Sequence, residues 1–227
     1  MSDFDLVIFD CDGVLIDSEL ISAHMLVAEL AKHDVHVDLS YVARHFLGRS
    51  YPVVISQIRT EFGLELPPEF ETDYRARLLA AFDSELTEMP GVRATIEALA
   101  VPCCVATSSS PPRVERALEI VGMTGLFGTN IFTASEVSHG KPAPDLFLHA
   151  AARMNTPPAR CLVIEDSFNG IRSGLAAGME VWQFTGGSHM DGVALDGPGL
   201  PVPQRRFASF DDFYHPVPHL RKTDPAA

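Results

Sequence analysis

Four short apolar runs, at residues 6–9, 102–106, 161–164 and 180–184, are each followed by polar or glycine-rich residues and separated by stretches of helical periodicity. Short runs rich in β-branched residues, with no polar alternation, suit strands buried on both faces. Their alternation with helices predicts an α/β fold: a Rossmann-like parallel sheet with helices on both faces. Helices are expected at 113–121, 143–154 and 168–177, with Pro111, Pro112, Pro142 and Pro144 placed where helices start rather than inside them. After a glycine- and proline-rich loop at 186–206, a last edge element is expected near 207–213.

Between residues 18 and 84 the strand signal stops, and the chain reads as amphipathic helices at 19–32, 41–46, 52–62 and 68–82. An all-helical block inserted after the first strand predicts a separate α-helical cap. The expected division is a core of residues 1–16 and 84–227 and a cap of residues 17–83. The chain must cross between them twice, which makes a two-strand hinge near 15–18 and 84–90.

With 227 residues, 46% of them hydrophobic, the chain can bury its own core. Seventeen Lys+Arg against 30 Asp+Glu, a formal charge of −13, exclude nucleic acid and anionic membranes as expected partners. An anionic ligand must therefore meet a locally basic pocket. The N-terminus carries no basic leader and no stretch approaches a membrane span, so a cytoplasmic protein is expected. None of the four cysteines forms a CxxC or a metal-ligand cluster, which suits buried reduced thiols.

Open parallel sheets bind ligands at the carboxyl ends of their strands. The residues just after the apolar runs form a coherent set: Asp10 and Asp12, then Thr107-Ser108-Ser109, then Glu165-Asp166, with Lys141 in HGKPAPD before a helix. A lone DxD is often a solvated turn, Glu165-Asp166 suits a helix N-terminus, and an isolated lysine is usually a surface group. Their order along one chain outweighs those readings.

In that order the residues resemble the haloacid dehalogenase-like (HAD) superfamily, in its phosphatase and phosphomutase branch with an α-helical cap. The four matching motifs are Asp10-Cys11-Asp12-Gly13, the strand PCCVATS at 102–108, GKPAPD around Lys141, and VIEDSFNG at 163–170. The resemblance covers nearly the whole chain. It implies hydrolysis of a small phosphorylated metabolite with Mg2+ as cofactor. Asp10 is then the nucleophile that forms an aspartyl-phosphate, and Asp12 the general acid and base. Thr107 and Ser108 hold phosphoryl oxygens together with Lys141, which offsets charge shared with Asp10. The implied metal set is Asp10, Asp12, Glu165 and Asp166, with Asp12 acting through its backbone carbonyl and Glu165 behind the other ligands. Gly13 lets the chain turn toward the cap, and Asp17 marks the hinge.

Within the cap, Gly48-Arg49-Ser50 resembles a substrate-facing turn of sugar-phosphate members of the superfamily, so Arg49 is the first candidate for substrate recognition. Arg75 and Arg77 are further candidates, and their spacing of two lets at most one of them face the pocket. Ser109, Ser110 and Ser167 read as turn and cap residues. Gly170, Gly174 and Gly178 read as close helix–sheet packing and a helix end. His24, His45, His139 and His189 read as surface or structural, with GSHM at 187–190 as native loop sequence. Cys103 and Cys104 alternate faces of one strand.

Among possible reactions, Asp12 argues against a dehalogenase, and the lack of an early cap lysine, Lys32 being too far along its helix, argues against phosphonate hydrolysis. A β-phosphoglucomutase-like phosphomutase is the main alternative. Its histidine twelve residues after the nucleophile is replaced here by Ser22, with His24 out of register. A non-catalytic phosphate-binding module is the other. Residues 74–86 and 177–184 resemble bacterial sugar-acid phosphate phosphatases, which makes a sugar phosphate or sugar-acid phosphate the expected substrate.

Overall fold

The computed structural model describes residues 4–46, 49 and 51–223. Its elements run β1 (Leu6–Phe9), α1 (Glu19–Ala31), α2 (Leu39–His45), α3 (Tyr51–Phe62), α4 (Glu69–Glu85), α5 (Val92–Glu97), β2 (Cys103–Thr107), α6 (Pro111–Ile120), α7 (Thr124–Phe127), β3 (Ile131–Thr133), α8 (Asp145–Arg153), β4 (Cys161–Glu165), α9 (Phe168–Ala176), β5 (Glu180–Phe184) and β6 (Arg205–Phe207). The strands form one parallel sheet in the order β3-β2-β1-β4-β5-β6. The expected α/β fold is therefore observed. β3, α5 and α7 were not anticipated: each is six residues or fewer, too short to display a period.

Alternate residues of the central strands point to opposite layers, as the pleat requires. Leu6, Ile8, Cys104, Ala106, Cys161 and Val163 pack with α8 and α9. Val7, Phe9, Val105, Leu162 and Ile164 belong to the other core, with residues of α5, α6 and the helices that follow β1. Each fully buried Leu, Ile, Val or Phe among these contributes about 1.5–3 kcal/mol. All four cysteines are free thiols. Beside β6, which pairs with β5 at the sheet edge, Phe207, Phe210 and Phe213 pack edge-on or tilted against Phe184 and Trp182.

The glycines of α9 explain how that helix lies so close to the sheet. A Cβ on Gly174 would stand 2.6 Å from Val181 Cγ2, and one on Gly170 would overlap the Glu165 carboxylate. Gly178, at φ +74°, ends the turn after α9.

Helices α1 and α4 pack on one another, and α2 packs on α1. Two short antiparallel stretches join this group to the sheet: Met89 N–H donates to Leu15 O at 2.9 Å and Asp17 N–H to Thr87 O at 3.0 Å. Among the described residues, no helix is long and apolar enough to cross a membrane.

Candidate active site

Because β1 lies between β2 and β4, the three chain segments that leave these strands emerge side by side. They deliver Asp10, Thr107 and Glu165 to one edge of the sheet. Lys141, just before α8, reaches the same point and is fully enclosed. Its ammonium donates to Asp10 Oδ1 at 2.6 Å, to Glu165 Oε1 at 2.7 Å and to Ala106 O at 2.9 Å, which uses all three of its protons. Burial alone would lower the Lys141 pKa, but the carboxylates of Asp10 and Glu165 outweigh it and raise the pKa. The Asp10 pKa is raised as well, which for an acid disfavours the charged form. Burial pushes its pKa well up; Lys141 opposes this, while Glu165, Asp166 and Asp12 add to it.

Glu165 accepts at Oε1 from Lys141 and at Oε2 from the backbone N–H groups of Asp166 and Ser167 and from the Ser167 hydroxyl. Ser167 in turn caps α9, accepting from Gly170 N–H at 3.0 Å. Both oxygens of Glu165 are thus occupied by protein donors. Asp166 differs: its Oδ1 is buried without a partner among the described residues. Carboxylate oxygens of Asp10, Glu165 and Asp166 lie within 4.8 Å of one another. A buried acceptor left open beside two further carboxylates fits a hard divalent cation such as Mg2+, which takes few carboxylates and oxygen donors only.

Asp12 is held by a separate set of partners. Its Oδ1 accepts from Ser18 Oγ at 2.5 Å and from Arg113 Nη2 at 2.7 Å, and its Oδ2 accepts from Ser109 Oγ at 2.5 Å. Burial works to raise its pKa, yet the Arg113 charge and the bonds from Ser109 and Ser18 prevail and hold it low. Ser109, expected as a turn or cap residue, therefore directs its hydroxyl to Asp12, while its N–H donates to Thr107 Oγ1 at 3.1 Å. Ser110 precedes α6 without capping it and accepts from Arg75.

Asp10, Asp12, Thr107, Ser108, Lys141 and Glu165 line one cavity, which continues toward α1, α2 and α4. Arg49 and Arg75 line it too. Arg49 donates to Gln57 Oε1 at 2.9 Å; its neighbours Gly48 and Ser50 lie outside the described residues. Arg75 bridges to Ser110 at 3.0 Å. Arg77 instead pairs with Glu29 on α1, away from the cavity. His24 is exposed, and Ser22 donates to Ser18 O and accepts from Arg113.

Three residues of this region escaped the sequence reading. Arg113 sits in the first turn of α6, where the helix dipole disfavours a cation; that misfit was the one available signal. Glu19, in the first turn of α1, is 6% exposed and faces the cavity. Burial, with Asp12 and Asp166, pushes its pKa up to about 8. His189, expected in a surface or structural role, is buried with Nε2 at 2.8 Å from Asp166 Oδ2. Burial would lower its pKa, but the Asp166 carboxylate prevails and holds it at about 9. No local pattern marked it.

The model of the haloacid dehalogenase-like hydrolases matches residues 4–178. The chain belongs to that family. It is 33% identical over 190 residues to the 6-phosphogluconate phosphatase of Escherichia coli, covering 83% of this chain and 86% of that protein. With hexitol phosphatase A of the same organism it shares 32% identity over 190 residues, 77% of this chain and 80% of the relative. The crystal structure of a HAD family hydrolase from Deinococcus radiodurans, with bound phosphate and sodium, superposes with a TM-score of 0.72 at 32% identity and covers 97% of both chains. This HAD-like chain is an enzyme of the hydrolase class, and its phosphatase relatives class it with the phosphoric monoester hydrolases.

Proposed function

We propose that the chain is a Mg2+-dependent phosphatase of small phosphorylated metabolites, sugar phosphates or sugar-acid phosphates, that works through an aspartyl-phosphate on Asp10. Residues 17–83 act as its cap. The observation that carries this reading is the enclosed Asp10–Lys141–Glu165 group, which shares one cavity with Thr107 and Ser108. Phosphate monoesters have among the highest uncatalysed barriers. A site for them must place a nucleophile and offset charge on the phosphoryl oxygens together.

In the first step an oxygen of Asp10 attacks phosphorus, the bond from phosphorus to the ester oxygen breaks, and Asp12 gives that oxygen its proton. In the second step water attacks phosphorus, Asp12 takes the water's proton, and the bond from phosphorus to Asp10 breaks. The products are an alcohol and inorganic phosphate, and Asp10 is again a carboxylate. Thr107 and Ser108 orient the phosphoryl group, and Lys141 offsets negative charge beside Asp10. To serve as the acid, Asp12 must leave Ser18, Ser109 and Arg113 and take up a proton. Ser18 adjoins α1, and Arg113 also touches Ser22 of that helix, so movement of the cap changes the hold on Asp12.

Asp10, Asp166 and the backbone carbonyl of Asp12 would hold Mg2+, while Glu165 sets Lys141 and the turn into α9. Bound there, the ion offsets charge on the phosphoryl oxygens. Ser22, in place of a proton-handling histidine, and the exposure of His24 favour hydrolysis over phosphomutase chemistry. The similarity to the 6-phosphogluconate and hexitol enzymes favours a phosphorylated polyol or sugar acid as substrate.

Purified enzyme should release phosphate from p-nitrophenyl phosphate only with Mg2+, and Asp10→Asn should abolish it; activity surviving that change refutes the nucleophile. A substrate panel without preference for phosphorylated sugars or sugar acids refutes the substrate class. Incubation with β-glucose 1-phosphate should yield phosphate and no glucose 6-phosphate.

A further inference from the structure

Asp166 carries an unusual demand. Mg2+ accepts only near-octahedral geometry, so a carboxylate that contributes one oxygen to it must be held against rotation. The backbone of Asp166 is fixed, since its N–H donates to Glu165 and its C=O accepts from Gln183. Neither bond restrains the side chain. The single described side-chain partner of its carboxylate is His189, with Nε2 at 2.8 Å from Oδ2. The other oxygen, Oδ1, is the buried acceptor that no group among the described residues satisfies.

Three observations set His189 apart from an ordinary buried histidine. First, its Nδ1 is buried and has no partner, so Asp166 is the only hydrogen-bonded partner of the ring among the described residues. Second, the chain leaves room for the pair at two glycines. A Cβ on Gly13 would stand 2.1 Å from Asp166 Oδ2 and 2.9 Å from His189 Cε1, and one on Gly187 would stand 2.7 Å from His189 Cε1. Third, the segment that carries the ring is tied down next to it. Ser188 donates to Asp17 Oδ1 through its hydroxyl at 2.7 Å and its N–H at 3.3 Å, and Met190 N–H closes the turn on Gly187 O at 3.0 Å.

We propose that His189 is a positioning residue of the cation site: its Nε2–H holds Oδ2 of Asp166 and so leaves Oδ1 turned toward Asp10. The Gly187–Met190 segment, remote in sequence from all four motifs, thereby becomes part of the active site without touching the substrate. The inference rests on the reading of Asp166 as a Mg2+ ligand, and the experiment separates the two. A glutamine amide can reproduce the Nε2–H donor, whereas leucine fills similar space without one.

The measurement is calorimetric titration of the metal-free full-length protein with MgCl2, with circular dichroism and thermal melts in chelator to confirm that each variant folds. Loss of such an outer hydrogen bond weakens metal binding about 10–100-fold in other sites. His189→Leu should show a loss of that size, and His189→Gln should stay within about threefold of wild type, a rescue that packing alone does not produce. Equal affinities for wild type and His189→Leu would overturn the proposal, and so would equal losses in both variants. Asp166→Asn serves as the reference. If it binds Mg2+ as wild type does, the metal assignment itself falls, and with it the role of His189; if it loses binding while His189→Leu does not, only the role of His189 falls.

Discussion

Asp12 and Arg113, 101 residues apart in the chain, meet at 2.7 Å in an ion pair that bridges the first strand and the start of α6. Arg113 extends the bridge to Ser22 at 3.0 Å and lies over the Phe82 ring of α4. One guanidinium thus touches the proposed proton donor and two helices that follow β1. Removing one member of a buried pair costs more than the pair contributes, because the other charge is left unmatched. Arg113→Met should therefore lower stability by about 2–3 kcal/mol, somewhat less than a fully enclosed pair, since Ser18 and Ser109 still bind Asp12. Urea unfolding at neutral pH measures it; a change under about 0.5 kcal/mol would mean that the two hydroxyls suffice.

Glu19 supplies the pH dependence. Burial, with the charges of Asp12 and Asp166, raises its pKa to about 8 against His189 and Arg113, which work to lower it. A raised acid pKa means that stability is fully present below the unfolded value of about 4.3 and is lost as pH rises through about 8. Glu19→Gln removes that loss. In metal-free protein the variant should melt within about 1 °C of wild type at pH 4 and about 10–15 °C above it at pH 8. An equal shift at both pH values would show that Glu19 does not titrate in this window.

Two glycines of the α9 region should respond differently to alanine. At Gly170 the new Cβ would fall 1.7–2.2 Å from the Glu165 carboxylate, so Gly170→Ala must displace Glu165 and with it Lys141. It should lose about 2–3 kcal/mol of stability and most of the turnover. At Gly178 nothing lies within 4 Å, but φ is +74°, so Gly178→Ala should lose only about 1–2 kcal/mol and leave kcat unchanged. Thermal melts and steady-state rates of the two variants, side by side, check the contrast.

The three candidate arginines of the helical segment divide by position. Arg49 and Arg75 line the cavity, and Arg77 pairs with Glu29 outside it. With the best phosphorylated sugar, Arg49→Ala and Arg75→Ala should each raise KM about tenfold, the size of one lost charged hydrogen bond. Arg77→Ala should leave KM within about twofold. A larger effect at Arg77 than at Arg75 would place the substrate elsewhere.

How legible was this molecule in its sequence? The central strands were, because they are buried on both faces and carry unbroken apolar runs. β3, with three residues, was not. Asp10, Asp12, Lys141, Glu165 and Asp166 were legible because each stands at the end of a strand or the start of a helix, where local pattern and motif order coincide. The candidate arginines of the helical segment were legible only as a set: helical spacing separates Arg75 from Arg77, but cannot say which one faces the cavity.

The sequence by itself determined the sheet, the helical insertion and the carboxylates with their lysine, all of which follow from order and periodicity along the chain. Tertiary structure alone decided which groups neutralise them. Arg113 reaches Asp12, His189 reaches Asp166, and Glu29 draws Arg77 away. Those pairings join residues distant in the chain, and their strength depends on burial and on distances of a few ångströms. Neither quantity exists until the strands have brought their ends together.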